Sequence, residues 1–184
     1  MRVCRQRFKG KKIMEAGQFF LSALEVESLV SYLVRLFDNN KDTQDYIYTC
    51  EKPATKQDVT IRFKDGILSV WLNEDGKPVS LLSEFNTKEL ILTIHAGGIT
   101  DTLRQSIFSQ SIRGCIEQAI LKKYGYKAYF ARNQVKRRDV VYCQCSILND
   151  KGGFVIKKFR IYPNSPLYFR FDLKNLKIEN LHEK

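Results

Sequence analysis

The stretch Leu90–Asp139 reads LILTIHAGG, then ITDTLRQSIFSQSIRGCIEQAILKKYG, then YKAYFARNQVKRRD. It is a short apolar strand, a glycine pair, a long amphipathic segment, and a basic tract threaded with aromatic residues. Leu103, Ile107/Phe108, Ile112, Cys115/Ile116 and Ala119/Ile120 recur at helical spacing, which predicts one apolar stripe on a long helix. Thr100 or Asp101 can cap its start, and Tyr124-Gly125 can end it. Gly97-Gly98 supplies the backbone freedom that a strand-to-helix corner needs.

Upstream, short strands are punctuated by turns. Val59, Ile61 and Phe63 alternate with polar residues, and Asp65-Gly66 is a tight-turn dipeptide that sends Ile67–Leu72 back alongside them. Asn73-Glu74-Asp75-Gly76 makes a second turn, Leu90–His95 is the next strand, and Tyr46–Cys50 is a candidate strand closed by Pro53. Before these, Phe19, Ala23, Val26, Val30, Leu33 and Phe37 are spaced as one face of a helix that begins near Met14 and stops at Asp38-Asn39-Asn40. Packing on its own core is the expectation for that face, rather than binding a partner.

Downstream, Asp139 to Leu148 predicts a strand, Asn149–Gly153 a turn, and Phe154–Tyr162 its return, with Pro163 and Pro166 breaking the run. Beyond them only Leu167, Phe169, Phe171, Leu173 and Leu176 are apolar at scattered positions. The expected organisation is a basic arm (1–13), a helix appended to the core (14–45), a single α+β core (46–162) and a C-terminal extension (163–184). The fold class is α+β: an antiparallel sheet with a long helix packed on it, an added N-terminal helix, and a C-terminal strand pair.

The formal charge of +11 is unevenly placed. Residues 1–12 hold six Lys/Arg and no acid; residues 13–121 carry a net −5; residues 122–170 hold twelve basic against two acidic side chains, a net +10. Charge gathered in this way points to a polyanion, with nucleic acid ahead of an anionic membrane surface. No apolar run approaches the ~18 residues of a membrane span. Five cysteines at irregular spacing imply no disulfide framework, and a reducing interior is the expected setting.

Several chemistries lack their residues. The Gly97-Gly98 corner has neither G-x-x-x-x-G-K-[ST] nor G-x-G-x-x-G, and Asp101 would oppose an anion there. Cys143-Gln144-Cys145 places two thiols on one strand face without the second pair or the histidines that a zinc site needs, so both are expected in the core. His95 and His182 are the only histidines, and no nucleophile motif accompanies them. No catalytic residue, metal or cofactor is assigned, and a non-enzyme is expected.

The basic tract carries the functional expectation. Lys122, Lys123, Lys127, Arg132, Lys136, Arg137 and Arg138 are interleaved with Tyr124, Tyr126, Tyr129 and Phe130. Guanidinium and ammonium groups neutralise phosphates, and planar rings stack on unpaired bases. Four cations in seven residues make Arg132–Arg138 the centre of the expected RNA contact. Arg2, Arg5, Arg7, Lys11 and Lys12 of the arm, Arg113 on the helix, and Lys157 and Lys158 on the last predicted strand complete the set. Arg113 also stands one helical turn from Glu117, with which it can pair.

The order of LILTIHAGGIT, SIRGCIEQAI and YFARNQVKRRD resembles the bacterial-type small-subunit ribosomal protein S-nine family. Ile112-Arg113-Gly114 matches the family's helix signature, Arg132-Asn133 its Arg-acid pair with Asn replacing the acid, and KDGILSVWLNEDGKP its strand–turn segment with Asn73 at the family's Asn. The resemblance covers about residues 58–138. It implies a β-α-β core of the ribosomal-protein-five second-domain type with a left-handed crossover. It also implies a structural role in the small-subunit head, with rRNA and neighbouring ribosomal proteins as partners. The corner is about four residues longer than the family pattern, and KQDVTIRF stands where the family has a basic motif. The family's basic tail, ending Ser-Lys-Arg near tRNA, is replaced by a chain ending Leu181-His182-Glu183-Lys184, so the tRNA contact is not carried over. The divergence suggests an organellar, mitochondrial ribosome over a cytoplasmic one. The alternative is a free single-strand nucleic-acid-binding protein, viral or organellar, with a basic, aromatic sheet surface.

Overall fold

A computed structural model describes residues 21–50, 57–95, 103–129, 135–138, 140–149, 151–161 and 168–181. The fold is α+β, with two helices and two antiparallel sheets in the described residues. Helix α1 spans Ala23–Asn39 and α2 spans Leu103–Tyr124. The strands are β1 Tyr46–Cys50, β2 Gln57–Lys64, β3 Ile67–Glu74, β4 Lys77–Asn86, β5 Ile91–His95, β6 Tyr126–Tyr129, β7 Val135–Arg137, β8 Val140–Asn149, β9 Phe154–Ile161, β10 Tyr168–Asp172 and β11 Lys177–Asn180. The first sheet runs β1-β2-β3-β4-β5-β10-β11; the second is built on β8.

The hairpin grammar of the sequence holds. Asp65 (φ 54) and Gly66 (φ 78) form one tight turn, and Asp75 (φ 54) with Gly76 (φ 78) forms the next. Both pairs adopt the two left-handed conformations of the turn that matches strand twist. Registers Val59↔Leu72, Ile61↔Val70 and Phe63↔Leu68 put the six side chains on one face, where all are buried. Phe85 of β4, Leu92 and Ile94 of β5, and Phe169 and Phe171 of β10 continue that face.

Strand β4 has no clear sequence signature, and its pairing explains why. Register shifts between Val70 and Trp71 and between Leu72 and Asn73 reset the pairing twice, so KPVSLLSEFN never alternates cleanly. The segment expected to extend beyond the core also behaves differently. Strand β10 is hydrogen-bonded between β5 and β11, and Leu173 N–H donates to the Leu90 carbonyl at 2.9 Å. Residues 168–180 therefore complete the first sheet, because Phe169, Phe171 and Ile178 supply a buried face in the right period. The strand pair β8–β9 forms as expected.

Helix α1 has its N-cap at Ser22, and the expected start near Met14 lies outside the described residues. The Ser22 Oγ accepts from Glu25 N–H at 3.1 Å, and the Glu25 carboxylate accepts from Ser22 N–H at 2.7 Å, a reciprocal capping box. Asn40, at φ 55, ends it and donates to the Leu36 carbonyl. Leu29, Val30, Leu33, Leu36 and Phe37 are buried on the protein's own core, as anticipated for this helix, whereas Ala23 is exposed. Phe37, Phe85 and Tyr124 bring α1, β4 and the end of α2 together, with ring centroids 5.4–5.9 Å apart. Phe19 lies outside the described residues.

Helix α2 buries Ile112, Cys115, Ile116, Ala119 and Ile120 as the stripe requires, and Gly125 (φ 83) closes it by donating to the Leu121 carbonyl. It leads from β5 in the first sheet to β6 in the second. The single-sheet β-α-β crossover implied by the family resemblance is thus not formed, because β6 pairs with β8 and not with β5. The Gly97-Gly98 corner and the Thr100/Asp101 caps lie outside the described residues. No helix among the described residues is long and apolar enough to cross a membrane.

Candidate nucleic-acid interface

The second sheet is organised by β8, which is paired on both edges. One edge receives β6 against Ser146–Asn149 and β7 against Val140–Tyr142; the other receives β9 along Val141–Leu148. Asn149 builds the β8–β9 turn by accepting from Lys151 N–H at 3.0 Å and Gly153 N–H at 2.8 Å. A Cβ at Gly153 would meet the Asn149 amide at 3.2 Å, a tight contact, and Gly152 (φ 88) adopts the left-handed conformation that favours glycine.

Alternation sorts the side chains into two faces. Ala128, Cys143, Cys145, Ile147 and Phe159 face inward and are buried. Phe159 meets Phe169 of β10 with ring centroids 5.2 Å apart, which joins the two sheets. The expectation that Cys143 and Cys145 are core residues is met. Burial also pushes the Cys115 thiol up to about 12, away from the thiolate form of an attacking group. Among the described residues no group of three His, Cys, Asp or Glu could hold a metal.

The other face is of a different kind. Lys127 and Tyr129 of β6, Tyr142, Gln144, Ser146 and Leu148 of β8, and Phe154, Ile156, Lys158 and Arg160 of β9 share it by register. Phe154 is 51% exposed, Ile156 47% and Tyr142 41%, while Lys158 and Arg160 are exposed. Arg160 stands opposite Tyr142 and Lys158 opposite Gln144. The Lys127 ammonium lies 5.2 Å from the Tyr129 ring centroid, a cation–π contact. Strands β6, β8 and β9 contain no Asp or Glu, so no carboxylate of these strands competes for the cations of this face.

The first sheet's solvent face provides the contrast. There Arg170 pairs with Glu179 at 3.8 Å, and Arg62 grips Asp45 through two bonds of 2.8 and 2.7 Å. That hydrogen bonding holds the Asp45 carboxyl below the usual carboxylate range. A shallow cleft of about 200 Å³ between Glu84, Glu89 and Arg170 lies on the same face and carries both signs of charge.

The expected cations divide accordingly. Arg2, Arg5, Arg7, Lys11, Lys12 and Arg132 lie outside the described residues. Lys136 and Arg137 belong to β7, whose backbone pairs with Val141 and Val140, and Arg138 is exposed at φ 55 in the turn that follows. Lys122 is exposed at the C-terminal end of α2. Lys123 is spoken for: its ammonium donates to Asp38 at 2.6 Å, tying α2 to α1, and that bond raises its pKa. Lys157 and Lys158 point to opposite faces, since Lys157 is opposite Cys145, so only Lys158 joins Lys127.

Arg113 is a correction. Its side chain is 12% exposed and sits 3.5 Å from the 8%-exposed carboxylate of Glu117, so it is a buried partner and not an RNA-facing cation. Arg113→Glu is expected to destabilise the fold by about 3–5 kcal/mol, because it sets two carboxylates together in a poorly hydrated site. Thermal denaturation checks this; an unchanged midpoint with weakened RNA binding would restore the surface role.

Tyr142, Phe154 and Arg160 are the residues that sequence reasoning missed. For Phe154 and Arg160 the signal was present as period-two spacing in Phe154-Val-Ile156-Lys-Lys158-Phe-Arg160, and for Tyr142 in Tyr142-Cys-Gln144-Cys-Ser146, and not as charge density. Compared with protein-family models, curated proteins and solved structures, the chain matches none of them.

Proposed function

We propose that this protein binds RNA through the outer face of the β6–β9 sheet. The observation that carries this is the meeting of Lys127, Lys158 and Arg160 with the rings of Tyr142 and Phe154 on one exposed face whose strands hold no carboxylate. Lys158 and Arg160 are exposed and able to neutralise phosphates, the Lys127 ammonium adds charge from its place against the Tyr129 ring, and exposed rings suit bases that are not paired. Lys122 and Arg138 are further exposed cations of the same basic third of the chain. The test is titration of the purified chain with RNA across a salt series. Contacts to three phosphates predict a log–log slope of about −2 on single strands, at ~0.7 per phosphate. Absence of binding at low salt overturns the proposal.

A second reading places the protein in the head of the small ribosomal subunit, held there by rRNA and neighbouring ribosomal proteins. What supports it is the ordered resemblance across residues 58–138; the α2 connection between two sheets departs from the topology that this resemblance implies. Sedimentation separates the settings: a ribosomal component travels with small subunits in moderate salt, whereas a free RNA-binding protein stays at the top of the gradient.

A further inference from the structure

Resting on the RNA-binding reading, we propose that the β8–β9 ribbon takes an unpaired strand along its length. Bases stack on Tyr142 at one end and Phe154 at the other, while Arg160 beside Tyr142 and Lys158 between the rings hold phosphates of the same strand. Four observations carry this.

The two rings are displayed and not packed: Tyr142 is 41% and Phe154 51% exposed, although the opposite face of their sheet buries Cys143, Cys145, Ile147 and Phe159. The Tyr129 ring, by contrast, already carries the Lys127 ammonium at 5.2 Å, so its face is engaged within the protein. Between the ends lie Gln144 and Lys158 as one cross-strand pair and Ser146 and Ile156 as the next. Ser146 is buried and makes a low floor, and Gln144 offers an amide able to pair with a base edge. The spacing fits a strand more than a single base. Tyr142 and the Leu148↔Phe154 pair are six residues apart on β8, which is ~20 Å of extended chain. Arg160, opposite Tyr142, marks one end of that span, and Lys158, two residues on, falls inside it.

Paired RNA cannot use this arrangement fully. A duplex turns its phosphates outward and keeps its bases stacked inside, so it can satisfy Lys158 and Arg160 but leaves both rings in water. An unpaired strand engages all four groups. The face is therefore selective for unpaired over paired RNA, and the selectivity resides in the rings while the salt-dependent affinity resides in the cations.

The test measures binding of a ten-nucleotide single strand and of a duplex of equal length by fluorescence anisotropy, for the full chain and for Tyr142→Leu/Phe154→Leu. Both positions are exposed, so the variant folds, as circular dichroism will verify. Single-strand affinity is expected to fall about tenfold or more with duplex affinity unchanged, in line with the cost of removing stacking at other aromatic platforms. An unchanged single-strand to duplex ratio overturns the stacking proposal and leaves RNA binding standing. No salt-dependent binding of either RNA by the unaltered chain overturns the RNA-binding reading itself. Equally tight binding of polyglutamate marks the face as one for acidic polypeptides and overturns the inference in favour of a protein partner.

Discussion

Replacing Lys127, Lys158 and Arg160 together by glutamate is expected to lower RNA affinity by at least about a thousandfold, at ~1.5 kcal/mol or more for each charged hydrogen bond removed. The slope of log affinity against log salt should fall by about 2, since three phosphate neutralisations disappear. Thermal stability should fall by no more than about 1 kcal/mol, because Lys158 and Arg160 are surface positions and Lys127 gives up one cation–π contact. Lys158 and Arg160 are exposed, and Lys127 is half-buried with its ammonium against the Tyr129 ring. Two other replacements make the control. Arg62 and Arg170 lie on the solvent face of the first sheet, already paired with Asp45 and Glu179. Glutamate at those positions should leave RNA affinity nearly unchanged. A fall in affinity equal to that of the triple variant would mean that total charge, and not this face, governs binding.

The largest structural effect is expected from Phe169→Ala. Phe169 is fully buried on β10, pairs opposite Ile94 of β5, and meets Phe159 of β9 with ring centroids 5.2 Å apart. Its ring is a join between the two sheets, so removing it opens a cavity beneath the β6–β9 sheet that carries the candidate face. A buried Phe→Ala change costs ~3–5 kcal/mol, against a typical total of ~5–15 kcal/mol. For a chain of this size the midpoint should drop by roughly 6–20 °C, at ~2–4 °C per kcal/mol. RNA affinity measured well below that midpoint should stay close to that of the unaltered chain. A drop of only a degree or two would show that β10 is peripheral, as the sequence alone suggested for residues 163–184.

Much of the fold was legible because local rules and the core agreed. The Asp65-Gly66 and Asp75-Gly76 turns need two left-handed residues in succession, and those dipeptides supply them. Val59, Ile61 and Phe63 alternate, and Ile112 to Ile120 recur at helical spacing, so each element carried its own address. Strand β4 was hidden by its two register shifts, and β10 by distance. Phe169 and Phe171 are visible as apolar residues, but their pairing with Ile94 and Leu92 spans most of the second half of the chain. The topology of α2 was hidden for a similar reason, since a helix sequence does not say which sheet its following strand will join.

The site was half legible. Charge density drew attention to Arg132–Arg138, and the basic third of the chain does hold the candidate face. A contiguous run, however, is read along the chain, whereas a sheet face is assembled across it. Arg160 reaches Tyr142 only through the β8–β9 register, and Phe154 is set at its end by the turn that Asn149 organises. Arg113 failed in the opposite direction, because a cation in a matching family signature is still free to pair with a carboxylate one turn away and be buried.

Photocrosslinking of a bound single-stranded RNA, followed by mapping of the modified peptides, tests the central claim most directly. Adducts are expected on Tyr142 and Phe154 and on the β8–β9 peptides that hold Lys158 and Arg160. Adducts confined to the solvent face of the first sheet, at Trp71 or Arg170, would contradict it.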